Sequence, residues 1–207
     1  MTQTLSLFES PTGLESIRLI DAELTFAEHF YQHDEADDLF ERLLNETKWQ
    51  QESIQVWGKS HLQPRLTALQ ADPGTSYSYS GINLQPNAWS PTLLNIKNDI
   101  TAACGHRFNS VLLNLYRDQH DSMGWHSDDE PELGKNPVIA SLSLGATRGF
   151  KLKHKTRAEQ KILTLDLQHG SLLIMAGSTQ HHWLHSVSKQ TRSIAPRINL
   201  TFRQIIS

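Results

Sequence analysis

A histidine and a carboxylate stand two positions apart in Trp125-His126-Ser127-Asp128-Asp129-Glu130. On a strand, residues i and i+2 share a face with Cβ atoms ~7 Å apart, so both side chains could reach one metal ion. Imidazole with carboxylate suits Fe(II), and a second histidine from elsewhere would complete a 2-His-1-carboxylate facial triad with open positions. His-x-Asp by itself is a weak signal. The rest of the chain must supply the third ligand and a reason for the site.

The segment Gln180-His181-His182-Trp183-Leu184-His185-Ser186 offers three candidate ligands. His185 is the best placed, because a strand starting there leads toward Arg197 and brings it to the same end of a barrel; His181 is second. His154 and His169 read as surface hairpin residues. Downstream, Arg197-Ile198-Asn199-Leu200-Thr201-Phe202-Arg203 alternates strictly. Ile198, Leu200 and Phe202 must pack. The face with Arg197, Asn199, Thr201 and Arg203 either meets water or holds a dicarboxylate, which guanidinium binds bidentately. Asn114 and Tyr116 likewise share a face of an otherwise apolar strand, which reads alternatively as an edge strand with one wet side.

Two helices and a run of strands must position these residues. Asp34 to Thr47 carries an apolar stripe of Leu39, Phe40, Leu43 and Leu44, with acidic residues crowding the first turn where the helix dipole favours them. Ser90-Pro91 opens a second helix through Ile96 and Ile100, which Gly105 closes. Residues 1–30 read as a loose lead-in with short strands such as Ser16 to Ile20. Trp49 to Val56 reads as a strand, and the segment from Trp57 through Arg65 as mostly loop. Beyond Phe108 the period is 2: Val111–Tyr116, Val138–Leu144, Gly149–Lys153, Ile162–Leu167, Ser171–Met175 and Ile194–Gln204 read as strands. Two helices ahead of six or more strands imply one α+β domain built on a sandwich or barrel.

The 207 residues suffice for a single well-buried domain. No run approaches the ~20 apolar residues of a membrane helix, and the first residues lack a signal-peptide pattern. One cysteine, Cys104, fits a reducing compartment, so a cytoplasmic location is expected, or a nuclear one in a eukaryote. Net charge is −3, yet residues 1–52 carry −9 and the remainder +6. Arg148, Lys151, Lys153, Lys155, Arg157 and Lys161 face only Glu159 within residues 148–161. Such a stretch either tracks phosphates or is a solvated hairpin.

His126-x-Asp128, then His185, then Arg197 and Arg203, resembles the AlkB family of Fe(II)/2-oxoglutarate dioxygenases. The resemblance covers roughly residues 50–205. Asn114-Leu115-Tyr116-Arg117 resembles the family's Asn-x-Tyr element, and Ala195 to Arg203 its terminal strand. Val56-Trp57-Gly58-Lys59 and Tyr77-Ser78-Tyr79-Ser80-Gly81 look like the lid of its duplex-DNA repair branch. The resemblance implies a double-stranded β-helix (jelly-roll) core at 111–205, a recognition lid and supporting helix at 51–110, and an N-terminal extension at 1–50. It implies Fe(II) on His126, Asp128 and His185, with 2-oxoglutarate and O2 as cosubstrates. Arg197 and Tyr116 would take the 2-oxoglutarate C5 carboxylate, supported by Asn114, Asn199, Thr201 and Arg203. Alkylated DNA, duplex or single-stranded, would be the partner of a monomer off the membrane, with RNA as a further candidate. Trp57, Gly58, Lys59, Arg65, Tyr77, Ser78, Tyr79 and Ser80 would contact it, Tyr79 would stack on a flipped base, and Asp129 and Glu130 would lie near the base edge. This chain has Trp57 where the family's wedge is commonly phenylalanine.

Two other functions fit parts of the pattern. An iron/2-oxoglutarate oxygenase acting on a protein or a small molecule would keep the triad and Arg197 but has no use for Trp57, Tyr79 and the basic patch at residues 148–161; one acting on RNA is a further alternative. A non-catalytic nucleic-acid-binding jelly roll would use its histidines structurally.

Overall fold

The computed structural model describes residues 13–206 apart from 57–58, 76, 80–81 and 85; across 54–59 and 76–85 the description is of backbone only. The chain runs through β1 (Glu15–Ile17), β2 (Glu23–Ala27) and α1 (His33–Glu46). Two hairpins flank a longer strand: β3 (Ser53–Val56) with β4 (Lys59–Leu62), then β5 (Leu66–Ala71), then β6 (Tyr77–Tyr79) with β7 (Ile82–Leu84). After α2 (Pro91–Cys104) come β8 (Ser110–Tyr116), β9 (Met123–His126), β10 (Ile139–Gly145), β11 (Arg148–His154), β12 (Leu163–Leu167) and β13 (Ser171–Ala176). One short helix, α3 (Thr179–His182), precedes β14 (Trp183–Val187) and β15 (Arg197–Arg203).

Seven strands form a major sheet in the order β1-β2-β13-β10-β15-β8-β5, and four form a minor sheet in the order β12-β11-β14-β9. All named pairings are antiparallel. This is the jelly-roll sandwich, and its two cores follow from period 2. Leu113, Leu142, Ile198, Leu200 and Phe202 face outward onto Leu43 of α1 and Leu93, Ile96 and Ile100 of α2. Leu112, Ile139, Leu173 and Met175 face inward onto Phe150, Leu152, Trp183 and Val187 of the minor sheet.

Both helices form where their sequences direct. Ser90 Oγ accepts the Leu93 N–H at 3.2 Å, and Gly105 closes α2 at φ 72° with its N–H on Thr101 O. Residues 15–27 are more than a lead-in, since β1 and β2 extend the major sheet by pairing with each other and with β13. The segment from Trp57 through Arg65 contains the strand β4, and β5 follows it directly.

Three other expectations are corrected by burial. β8 is flanked by β15 and β5 and buried along its whole length, so it is no wet edge strand. The polar face of β15 does not meet water: Arg197, Asn199, Thr201 and Arg203 are buried between the sheets. Arg148 leaves the basic surface stretch altogether. It is 1% exposed, and its Nη2 donates to Asp121 O at 2.9 Å and Ser188 O at 2.7 Å. Among the described residues no helix is long and apolar enough to cross a membrane.

Candidate active site

The inward polar face of β15 and the neighbouring β8 and β10 form the floor of a narrow cleft. The minor sheet roofs it. His126 closes β9 and His185 sits directly opposite on β14. Asp128 is not on the same strand face as His126, because β9 ends at His126. Its backbone leaves the ladder and donates to the side chain of Gln180, Asp128 N to Oε1 at 2.9 Å. Even so, ligand atoms of His126, Asp128 and His185 all lie within 4.8 Å of one another. The two imidazole centroids are 4.2 Å apart, and Phe150 stacks on His185 at 5.1 Å.

Electrostatics prepare these three groups in the states a divalent cation requires. Burial alone would raise the Asp128 carboxyl, but the adjacent Arg203 guanidinium and the two imidazoles hold it down at about 2. Arg203 Nη2 donates to Asp128 Oδ1 at 2.9 Å. Burial, then the neighbouring His126, pulls His185 down to about 3. Burial also lowers His126. The set is therefore one carboxylate and two neutral imidazoles at neutral pH.

Among the described residues two more clusters combine two histidines with an aspartate at similar spacing: Asp21/His154/His182 and His33/Asp37/His169. Their tautomers separate them from the first. His126 Nδ1 faces Gly124 O at 2.9 Å; a carbonyl only accepts, so Nδ1 carries the proton and Nε2 keeps its lone pair for a metal. His154 Nδ1 instead accepts the N–H groups of Thr156 and Arg157 at 3.2 and 3.0 Å. His169 Nδ1 accepts from Gly145 N at 2.7 Å. Both rings must then carry their proton on Nε2, turned toward Asp21 at 3.3 Å and Asp37 at 3.2 Å. His154 Nε2 bonds Asp21 Oδ2, whereas His169 Nε2 is buried without a hydrogen bond among the described residues; in both rings backbone N–H groups occupy Nδ1, so neither Nε2 offers a lone pair to a metal. Neither histidine is a surface hairpin residue: His154 is buried and His169 half-buried, and each anchors backbone. His181 lies outside the triad, its Nε2 beside Lys135 O and Asn136 Oδ1.

Arg197 marks the other end of the cleft. Its Nη2 donates to Ser143 Oγ at 2.8 Å, while Nε and Nη1 are buried without a partner among the described residues. Burial draws this guanidinium down to about 10 and the nearby Arg148 adds to the fall, while the charge and side-chain hydrogen bond of Tyr116 work the other way. It stays charged at neutral pH. A buried cation with two unused donors is a strained arrangement unless a carboxylate meets it. Asn199 donates to Ser141 Oγ at 2.9 Å and accepts from Thr201 Oγ1 at 3.0 Å. The donor set and the orphaned guanidinium nitrogens thus fit Fe(II) and a keto dicarboxylate.

Arg65 does not face outward with the expected substrate contacts. It is buried, and its Nε donates to Asn114 Oδ1 at 2.7 Å, so it orients an amide in the cleft wall. Asp129 is exposed and accepts from Ser127 Oγ at 2.9 Å and Lys155 Nζ at 3.1 Å. Burial pushes its carboxyl up, and these two donors more than offset that, holding it below the usual range. Among the described residues neither Asp129 nor the half-buried Glu130 lines the cleft. Trp57, Gly58 and Ser80 lie outside the described residues, as do the side chains of Lys59, Tyr77, Ser78 and Tyr79, whose backbone belongs to the two hairpins. Sequence reasoning missed Gln180, Ser143 and Lys155, for which no periodicity or motif gives a signal.

Residues 23–203 match the family described as the 2OG-Fe(II) oxygenase superfamily. The chain is 44% identical over 204 residues to the alpha-ketoglutarate-dependent dioxygenase alkB homolog 3 of Bos taurus, covering 95% of this chain and 68% of that one. It is 40% identical over 181 residues to the DNA oxidative demethylase ALKBH2 of Homo sapiens, covering 83% and 69%. The solved structure of OsALKBH1 superposes with a TM-score of 0.66 at 19% identity, covering 92% of this chain and 99% of that one, which supports the fold. The chain belongs to the AlkB family within the 2OG-Fe(II) oxygenase superfamily, whose members use Fe(II), 2-oxoglutarate and O2.

Proposed function

We propose that this protein is an oxidative demethylase of N-alkylated bases in DNA, of the 1-methyladenine and 3-methylcytosine type, releasing formaldehyde, succinate and CO2. The observation that carries the reading is the convergence in one cleft of the His126/Asp128/His185 donor set with the unpartnered nitrogens of Arg197. The name of one relative, a DNA oxidative demethylase, supports nucleic acid over other substrates.

In this reading His126, Asp128 and His185 hold Fe(II), and Arg197 with Tyr116 takes the far carboxylate of 2-oxoglutarate. Asn114, Asn199, Thr201 and Arg203 supply the remaining polar wall. Bound Fe(II) supplies oxidising power from O2, coupling decarboxylation of the keto acid to hydroxylation of a substrate C–H bond. A hydroxylated N-methyl group is a hemiaminal, and its C–N bond breaks to release formaldehyde and the unmodified base. The chain's own work is orientation and shielding: Arg203 keeps Asp128 ionised, Gly124 fixes the His126 tautomer, and Phe150 and Met175 supply apolar wall to the cleft.

Trp57 is assigned to fill the vacated stack and Tyr79 to hold the flipped base. Lys151, Lys153, Arg157 and Lys161 are assigned to phosphates. Asp129 or Glu130, which follow Asp128 directly in the chain, is assigned the preference for cationic lesions.

The test is anaerobic loading with Fe(II) and 2-oxoglutarate, then air and a 1-methyladenine oligonucleotide as single-stranded DNA, duplex DNA or RNA. Formaldehyde and repaired base that need both cosubstrates, and vanish in Asp128→Ala, are the expected result. Succinate without repair of any oligonucleotide would overturn the nucleic-acid assignment.

A further inference from the structure

Asp128 leaves the strand ladder, so something other than sheet hydrogen bonds must set its place relative to His185. Gln180 is 1% exposed, in the short helix α3 five residues before His185. Its side-chain oxygen accepts the Asp128 N–H at 2.9 Å, and its amide nitrogen rests on Met175 Sδ at 3.6 Å. Lys155, just past β11, completes the connection. Its Nζ donates to Gln180 O at 2.8 Å and to Asp129 Oδ2 at 3.1 Å, while its backbone N–H donates to His182 O at 2.7 Å. One ammonium thus bridges the loop that carries Asp128 and the helix that leads into His185. The neighbouring register, Leu152 against His185 and His154 against Trp183, ties the base of this bridge to the β14 strand itself.

We propose that Lys155 and Gln180 are positioning residues that hold the Asp128 loop in register with β14 and so preset the metal-binding geometry before any ion arrives. The pair touches neither metal nor cosubstrate. Groups that orient metal ligands are generally worth about 10- to 100-fold in metal affinity. The inference rests on the assignment of His126, Asp128 and His185 as the metal ligands.

The test is Mn(II) binding to the full chain without 2-oxoglutarate, followed by electron paramagnetic resonance, in the parent and in Lys155→Met, Lys155→Arg, Gln180→Leu and Asp128→Ala. Lys155 is partly exposed and Lys155→Met is expected to melt close to the parent when metal-free. Its Mn(II) affinity should nonetheless fall about 10-fold or more, and Gln180→Leu at least as far. Lys155→Arg should restore binding, because a guanidinium also reaches two acceptors; a merely structural loss of packing would not be rescued this way. Parent-like affinity in Lys155→Met, with Asp128→Ala unable to bind, would overturn the clamp and leave the ligand assignment standing. Parent-like binding by Asp128→Ala would overturn the ligand assignment and the clamp with it.

Discussion

The His126/Asp128/His185 and Asp21/His154/His182 clusters have the same composition and comparable spacing, and only the first can open to a metal. The difference lies one atom behind the ligands. A carbonyl behind His126 forces the proton onto Nδ1 and frees Nε2. Two backbone N–H groups behind His154 force the opposite tautomer, and Arg157 Nε at 3.0 Å further occupies the Asp21 carboxylate. Proximity of donors is therefore a weak criterion for a metal centre. What the far side of each imidazole meets is a stronger one.

That contrast is broken most directly by removing one carboxylate from each cluster. Asp128→Ala should abolish Mn(II) binding and 2-oxoglutarate turnover, whereas Asp21→Ala should keep both. Loss of a second equivalent of metal in Asp21→Ala, read by titration, would restore the second cluster as a site. The next largest effect is expected at the other end of the cleft. Hydrogen bonds to a charged group are worth about 1.5–3 kcal/mol, so Arg197→Met should raise the KM for 2-oxoglutarate roughly 10- to 100-fold. Mn(II) affinity in the absence of the keto acid should be nearly unchanged, and equal losses in both would show that Arg197 serves the fold rather than the cosubstrate.

Arg65→Met should have a smaller effect of the same kind. It removes the bond that orients Asn114, and a neutral-acceptor bond to a charged donor of this sort should leave KM shifted several-fold and thermal stability lowered by about 1–3 kcal/mol. An altered preference among DNA lesions with unchanged KM would return Arg65 to the substrate contacts. The smallest effect is one of pH. Burial raises the Asp21 carboxyl, but the Arg157 and His154 hydrogen bonds outweigh it, and the group ends below its ordinary value. A carboxyl lowered on folding stabilises the protein above its unfolded pKa of about 3.9 and loses that contribution as pH falls through the folded value. Asp21→Asn, which suits the positive φ of 54° at this position, should therefore melt below the parent at pH 7 and converge with it in acid. A gap that widens in acid would reverse the sign and the cause.

Legibility differed sharply between these regions. The limits of α2 follow from Ser90, Pro91 and Gly105, whose local chemistry acts within one turn. β8, β10 to β13 and β15 follow from apolar alternation, which gives no signal for β9 or β14, and the spacing of His126, Asp128, His185, Arg197 and Arg203 is what makes the family recognisable. β5 and β2 escaped notice because their short segments become strands through pairing with distant partners, β8 and β13. Gln180 and Lys155 escaped because a glutamine and a lysine acquire a role only from what lies across from them.

By itself, the sequence determined which residues share a face, where the second helix starts and stops, and which family the chain joins. Alternation reports that two sets of side chains point opposite ways, and it is silent on what each set meets. Only the tertiary structure decided that the polar side of β15 lies under a second sheet, that Arg148 and Arg65 are interior, and that Asp128 hangs from Gln180 rather than from a strand. It also decided the tautomers of three histidines, since a ring nitrogen donates or accepts according to a backbone group that folding brings to it.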